Sequence, residues 1–193
     1  MIIFEIVLSI SVLILALIAL TKFHRTPWDG EVGDMIPFLQ RVDVEAFAKL
    51  IDPAEEAYLR QRYTSSEFRQ LQRQRIRLTI EYLRRMSHNA KILLEAGHGE
   101  VKSSSAERAF LGNELIHSGT HIRLYALLAL TKLHLWLLFR VHAWTLLPTP
   151  CLSDFKEQAG IEVLEEYDSL KSKAAYLALA RRESCHNELI HSL

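Results

Sequence analysis

The sequence predicts an all-α protein, in which one N-terminal transmembrane helix precedes an elongated antiparallel bundle of three long helices plus short helices. Two observations favour this class. Residues 2–21 form a nearly unbroken apolar run, and the 7 Gly and 5 Pro of the chain leave long stretches without helix breakers. Apolar residues make up 49% of the chain and charged residues 24%, which is enough to bury a core. We therefore expect an anchor over 1–21, a juxtamembrane linker over 22–41 and one cytoplasmic helical domain over 42–193.

The apolar run has the length of a membrane span. About 20 residues are needed to cross about 30 Å of hydrocarbon, and Glu5, which interrupts the run, lies near enough to the N-terminus to reach the interface. A cleaved signal peptide is the alternative, but no Lys or Arg precedes the run and no small-residue cleavage site follows it. Lys22, His24 and Arg25 come directly after the run. The positive-inside rule therefore predicts a single-pass protein of the cell (inner) membrane whose C-terminal domain faces the cytoplasm.

Short helices are expected over 42–51 and 53–63. Asp52 can cap the second of these helices, and Pro53 suits its first turn. The sequence Thr64-Ser-Ser-Glu67 is typical of a capping box, in which the first and last side chains bond to each other's backbone N–H groups. A long helix is therefore predicted to begin there.

This first long helix is expected to run to about Glu95 and to end at Gly97-His-Gly99. Its apolar residues recur at a spacing near seven, which is typical of a helix face that packs against a partner helix. They are Phe68, Ile76, Thr79, Leu83, Met86, Ala90 and Leu93.

Arginines are frequent on the polar part of the same helix. The predicted lipid-facing basic face consists of Arg69, Arg73, Arg77, Arg84 and Arg85. Each cation near an anionic inner leaflet would gain about 1 kcal/mol, so contact with anionic lipid is expected. The alternative is an ordinary solvated face. No nucleic acid is expected as a partner, because the formal net charge of the chain is zero.

The second and third long helices are expected over about 103–145 and 153–193, with Pro148 and Pro150 between them. Helices of this length suit an elongated antiparallel bundle. Their heptad-like faces are also compatible with coiled-coil packing between copies of the chain, so a homo-oligomer is expected.

The stretch 122–147 is apolar over most of its circumference. A second membrane span is disfavoured, because scattered cations would each cost roughly 2.5 to 3.5 kcal/mol at membrane depth. They are Arg123, Lys132, His134, Arg140 and His142. Two interpretations remain. The helix is buried in the bundle, or it lies on the inner leaflet with its cations reaching lipid phosphates.

A polar hexapeptide, Asn-Glu-Leu-Ile-His-Ser, occurs at 113–118 and again at 187–192. In each copy the Glu and the His are three residues apart and share a helix face, and His121 extends the first copy by one turn. Glu-x-x-His pairs on two helices hold the metals of di-iron and di-manganese carboxylate bundles. The repeat therefore indicates a site for Fe, Mn or Zn. Its ligands would be Glu114, His117, His121, Glu188 and His191.

An ordinary structural role is the alternative for this repeat. Glu114 would then pair with Arg181 or another cation, and the histidines would be satisfied core or surface residues. A turn at 148–150 would place Glu114 level with Cys185 of the third helix, which brings the two copies near each other.

No motif assigns a reaction to the chain, since the sequence shows neither a nucleophile elbow nor a glycine-rich phosphate loop. Cys151 and Cys185 lack metal-type spacing and are expected to be reduced thiols. These observations favour a membrane-anchored scaffold or interaction protein. The alternative is a metal-binding helical bundle held at the membrane.

Overall fold

The computed structural model describes residue 35 and residues 37–142 and 160–180. Within them the protein is helical and contains no strand, which confirms the predicted helical bundle. The helices are α1 (Val44–Leu50), α2 (Pro53–Arg62), α3 (Ser65–Glu100), α4 (Ala106–His142) and α5 (Ile161–Ala180). None of the described helices combines the length and the hydropathy of a membrane span. The predicted anchor over 1–21 lies outside the described residues.

Local capping sets the starts of α2 and α3, as the sequence predicts. Asp52 Oδ1 accepts a hydrogen bond from the N–H of Ala54 at 3.4 Å, with Pro53 in the first turn. Thr64 Oγ1 accepts from the N–H of Glu67 at 3.5 Å, and the Glu67 carboxylate accepts from the N–H of Thr64 at 3.0 Å. The predicted capping box is therefore present. The hydrogen bonds that the Glu67 carboxylate accepts from Thr64 hold the pKa of that carboxyl below its usual range.

The two glycines that were expected to end α3 lie inside it, because the helix continues to Glu100. A Cβ added to Gly97 would lie 2.8 Å from the carbonyl oxygen of Gly112 on α4, and a Cβ on Gly112 would lie 2.8 Å from the carbonyl oxygen of Gly97. Only glycine allows two helix backbones to meet this closely. Gly99 differs, because a Cβ there would meet nothing within 4 Å. The predicted helix end was therefore wrong, and Gly97 serves helix packing.

α3 and α4 pack as an antiparallel pair with a repeat of seven residues. Gly97 faces Gly112, and seven residues further along each helix a Cβ on Gly119 would lie 3.0 Å from the carbonyl oxygen of Ala90. Further from the connection between the helices, the same spacing of seven leads to Leu83 and Ile76 on α3 and to Ala126 and Leu133 on α4. Each of these four residues is at most 1% exposed. Small residues thus bring the helices together next to their connection.

The apolar stripe predicted on α3 forms the core of the domain. Each of its residues, from Phe68 to Leu93, is at most 5% exposed, which confirms the prediction. α5 covers this pair of helices chiefly along α4. The α5 residues that are completely buried include Val163, Tyr167, Leu170, Ala174 and Leu177.

The apolar stretch predicted over 122–147 is buried on one side and exposed on the other over residues 122–134, where the structure describes its side chains. Its buried residues are Ile122, Ala126, Ala129 and Leu133. Leu124 and Leu128 are 51% and 58% exposed. One side is therefore buried in the bundle, in agreement with the first of the two interpretations, while the opposite side leaves leucines uncovered.

The chain segment ahead of α1 is bound to α3 through polar side chains. Asn89 is fully buried, its Oδ1 accepts from the N–H of Gln40 at 2.8 Å, and its Nδ2 donates to the Gln40 carbonyl at 2.7 Å. The same Nδ2 donates to the hydroxyl of Tyr167 on α5 at 2.8 Å. His88 Nε2 lies 3.0 Å from the carbonyl oxygen of Phe38. Asn89 thus joins the end of the predicted linker, α3 and α5.

Candidate functional site

A row of polar side chains lies along the border between α4 and α5. On α4 the row consists of Glu114, His117, Ser118 and His121, whose spacing places them on one side of the helix. On α5 it consists of Glu166 and Lys173, which are two helical turns apart. Lys173 contacts the start of the α4 row and Glu166 its end. The two helices therefore run antiparallel.

Glu114 forms an ion pair across this border. Lys173 Nζ lies 3.1 Å from Glu114 Oε2 and donates a hydrogen bond to Ser118 Oγ at 2.6 Å. Ser118 is fully buried, whereas the Glu114 side chain is 41% exposed. A cation partner for Glu114 was the alternative to metal binding in the sequence. Lys173 takes the place that Arg181 was expected to fill.

His117, His121 and Glu166 converge at the other end of the row. One ligand atom of each lies within 4.8 Å of those of the other two. The two imidazole rings are 4.1 Å apart between centroids and tilted by 47°. His117 is exposed and the other two side chains are half-buried, so the group is open to solvent. Tyr125 meets His121 edge to face with ring centroids 6.1 Å apart, which adds an apolar contact to that ring.

Glu166 is the member of this group that the sequence did not suggest. Its place depends on the register between α4 and α5, and the register expected from a turn at 148–150 put Cys185 beside Glu114. The observed neighbour of Glu114 is Lys173, 12 residues earlier in the chain. The signal that could have found Glu166 is its spacing of seven residues from Lys173, which gives both side chains the same face of α5.

The second copy of the hexapeptide, with its predicted ligands Glu188 and His191, lies outside the described residues. Of the metal ligands predicted from the first copy, His117 and His121 are brought together, and Glu114 forms its ion pair instead.

The predicted basic face is exposed over most of its length. Arg69, Arg73, Arg77 and Arg84 all project into solvent from α3. Arg85 lies further round the helix, is half-buried and forms an ion pair with Glu81 one turn earlier. Arg84 Nη2 also lies 3.3 Å from His134 Nε2 of α4. The exposed arginines remain as a row of four on one side of α3.

A scan against protein-family models, a search of curated proteins and a search of solved structures each gave no match.

Proposed function

We propose that this chain is a membrane-tethered helical scaffold, with residues 1–21 crossing the cell inner membrane once and the helical domain in the cytoplasm. The observation that carries the proposal is the pair of hydrogen bonds, 2.8 and 2.7 Å long, between Gln40 and Asn89. They bind the end of the proposed juxtamembrane linker to α3. A tether formed by the preceding residues would therefore attach to the domain at a defined point.

The dimensions of the two central helices support a scaffold. α3 and α4 contain 36 and 37 residues, or about 54 Å each at 1.5 Å per residue. Next to their connection the two backbones approach closely at Gly97, Gly112 and Gly119. A long, closely packed pair of helices offers binding partners an extended surface.

Anionic lipid is the first partner we propose. Arg69, Arg73, Arg77 and Arg84 extend over 15 residues of α3, or about 22 Å. A negatively charged leaflet attracts each such cation by about 1 kcal/mol. Together with the apolar anchor, the four arginines would keep α3 close to the inner leaflet.

A second copy of the chain is the other partner we propose. Phe110, Leu124 and Leu128 of α4 are 64%, 51% and 58% exposed. Their separations of 14 and 18 residues from Phe110 correspond to about four and five helical turns, so they share one side of α4. Exposed apolar residues on one side of a helix are typical of an association surface.

Extraction from membranes tests the anchor. The full chain should stay with the membrane fraction through high salt and alkaline carbonate and should leave it only with detergent. A chain that begins at residue 29 should appear in the soluble fraction with the same helical circular dichroism per residue in its domain. Release of the full chain by carbonate would contradict the proposal.

Vesicle flotation tests the basic face with the chain that begins at residue 29. We expect flotation with vesicles that contain phosphatidylserine, little flotation with pure phosphatidylcholine, and loss of binding as salt is raised. Replacing Arg69, Arg73, Arg77 and Arg84 by Gln should abolish flotation. The matched control removes the same charge from other exposed cations, by replacing Arg41, Lys49, Arg62 and Lys102 with Gln. Equal losses in the two variants would show that net charge, rather than the face on α3, directs binding.

A further inference from the structure

We propose that His117, His121 and Glu166 form a binding site for one divalent transition-metal ion, with Zn²⁺ as the best fit. The site is separate from the proposed scaffold function and does not depend on the anchor. It joins two helices, because both histidines belong to α4 and the carboxylate belongs to α5.

The histidine spacing is the one that lets a helix chelate a metal. His117 and His121 are four residues apart, so successive turns present both imidazoles to the same side. Their ring centroids are already 4.1 Å apart. Two imidazoles and one carboxylate are a ligand set that zinc sites with an open coordination position use.

The distances leave only a small adjustment to be made. At metal–ligand bonds of about 2.1 Å, two ligand atoms around a tetrahedral ion lie roughly 3.4 Å apart. The three ligand atoms here lie within 4.8 Å of one another. His117 is exposed and Glu166 is half-buried, so changes of their side-chain torsions can bring the ligand atoms closer without moving a helix.

Within the part of the chain that the structure describes, these three side chains make no other polar contact. Among the described residues, none of His117, His121 and Glu166 has a hydrogen-bond or ion-pair partner, although a carboxylate beside two imidazoles would ordinarily bond to one of them. Their neighbour Glu114 is different, because Lys173 pairs with it. The ion pair accounts for Glu114, and a shared ion accounts for the other three.

The chemistry of the ligands selects the class of ion. Imidazole nitrogen suits zinc and the first-row transition metals, whereas Mg²⁺ and Ca²⁺ prefer sites built from oxygen. Three protein ligands leave at least one position for water or an outside ligand. Ser118 stands directly after His117 and bonds to Lys173, so it does not compete for the ion.

The site is tested by titrating Zn²⁺ into the full chain in detergent micelles, after a chelator has removed any bound metal. We expect one Zn²⁺ to bind per chain, as measured by isothermal titration calorimetry. Co²⁺ should compete with Zn²⁺ and give the visible absorption of a four- or five-coordinate Co²⁺ complex. Millimolar Mg²⁺ or Ca²⁺ should not compete. Binding should raise the melting temperature, because the ion binds the folded state and joins α4 to α5.

Single substitutions assign the ligands. H117A, H121A and E166Q should each weaken Zn²⁺ binding by more than about tenfold, since even partners of metal ligands contribute that much. The matched controls are H98A, an exposed histidine of α3, and E165Q, the exposed neighbour of Glu166, both of which should bind as the unchanged chain does. Circular dichroism of each metal-free variant establishes that it is folded.

Three results would overturn the site. The first is the absence of stoichiometric Zn²⁺ binding by the folded, unchanged chain. The second is a loss of affinity in H98A or E165Q that equals the loss in H117A or E166Q. The third is a loss of binding in E114Q with none in E166Q, which would assign the ion to the Glu-x-x-His pair of the hexapeptide instead.

Discussion

Asn89 is fully buried in the middle of a helix, where an amide destabilises the fold unless its hydrogen bonds are made. Its side chain makes three, two with the backbone of Gln40 and one with the hydroxyl of Tyr167. Two of these bonds join α3 to the segment ahead of α1, and the third joins it to α5. The amide therefore contributes to the specificity of the fold as well as to its stability, because no apolar side chain would replace this set of partners.

Removal of the Asn89 amide should destabilise the fold. We expect Asn89→Ala to lower the free energy of unfolding by about 2 to 4 kcal/mol, since it deletes three hydrogen bonds and leaves a cavity. Urea unfolding followed by circular dichroism measures the loss. Asn113→Ala on an exposed part of α4 is the matched control and should change the free energy by less than about 0.5 kcal/mol. Similar values for both variants would show that Asn89 does not join the three segments.

The hydroxyl of Tyr167, which accepts one of these hydrogen bonds, makes the stability of the fold sensitive to alkaline pH. Burial raises the pKa of its hydroxyl to about 12, against a smaller opposite effect of the hydrogen bond from Asn89. The unfolded chain loses the proton near pH 10 and the folded chain holds it to about pH 12, so stability is full below pH 10 and falls between these values. The decline should be about 1.4 kcal/mol per pH unit.

Comparison of two tyrosine variants isolates this effect. Tyr167→Phe should be less stable than the unchanged chain at pH 8 by about 1 kcal/mol, and the difference should shrink or reverse by pH 11. Tyr176→Phe, at a residue that is 65% exposed, should follow the unchanged chain at every pH. Denaturant unfolding at several pH values gives both curves. A constant difference between Tyr167→Phe and the unchanged chain would contradict the role assigned to this hydroxyl.

At the scale of the helices, the contact between α3 and α4 depends on glycine at two facing positions. Gly97→Ala or Gly112→Ala should lower the free energy of unfolding by about 1 to 3 kcal/mol, because the new Cβ would lie 2.8 Å from a backbone oxygen of the other helix. Thermal or urea unfolding measures the effect.

Gly99 provides the control for that substitution, since it lies two residues from Gly97 in the same helix. Gly99→Ala should raise the free energy of unfolding by about 0.5 to 1 kcal/mol, because alanine favours the helix and its Cβ meets open space. If all three alanines stabilised the protein, the close approach of α3 and α4 would be disproved.

These glycines also show what the sequence can predict about the helices. The capping residues Asp52 and Thr64 act on N–H groups two or three residues away, so local spacing was sufficient to place the starts of α2 and α3. The stripe of α3 follows from helical periodicity alone. Gly97 was misinterpreted as a helix end because its role depends on Gly112, 15 residues later, and no local pattern distinguishes packing from termination.

At the scale of the whole molecule, the arrangement of α4 and α5 could not be predicted from the sequence, for a similar reason. The histidines of the candidate metal site share one helix and were recognised from their spacing. Glu166 was missed because its place depends on the register between α4 and α5, and the turn expected at 148–150 gave a register that differs from the observed one by 12 residues. A shift of register replaces every opposing residue along a helix pair, so it changes which carboxylate faces the histidines.

The exposed side of α4 leads to the last prediction, which concerns association of the whole chain. Leu124 and Leu128 are more than half exposed, although the opposite side of the same helix is buried against the bundle. Burying leucines between two copies would gain about 25 cal/mol for each square ångström of apolar surface removed from water. We therefore expect the full chain in detergent to be dimeric or larger at micromolar concentration, as measured by light scattering after size-exclusion chromatography.

Charge on this side of α4 should separate the copies without unfolding them. Leu124→Glu combined with Leu128→Glu should give a monomer with unchanged helical content, because both side chains project into solvent in the single chain. Leu78→Glu, at a residue of α3 that is 47% exposed, is the control and should leave the oligomer intact. A monomer for the unchanged chain would contradict self-association. If the anchor-deleted chain instead floated with neutral vesicles and the double substitution abolished that binding, the leucines would contact lipid, which is the second of the two interpretations of the stretch 122–147.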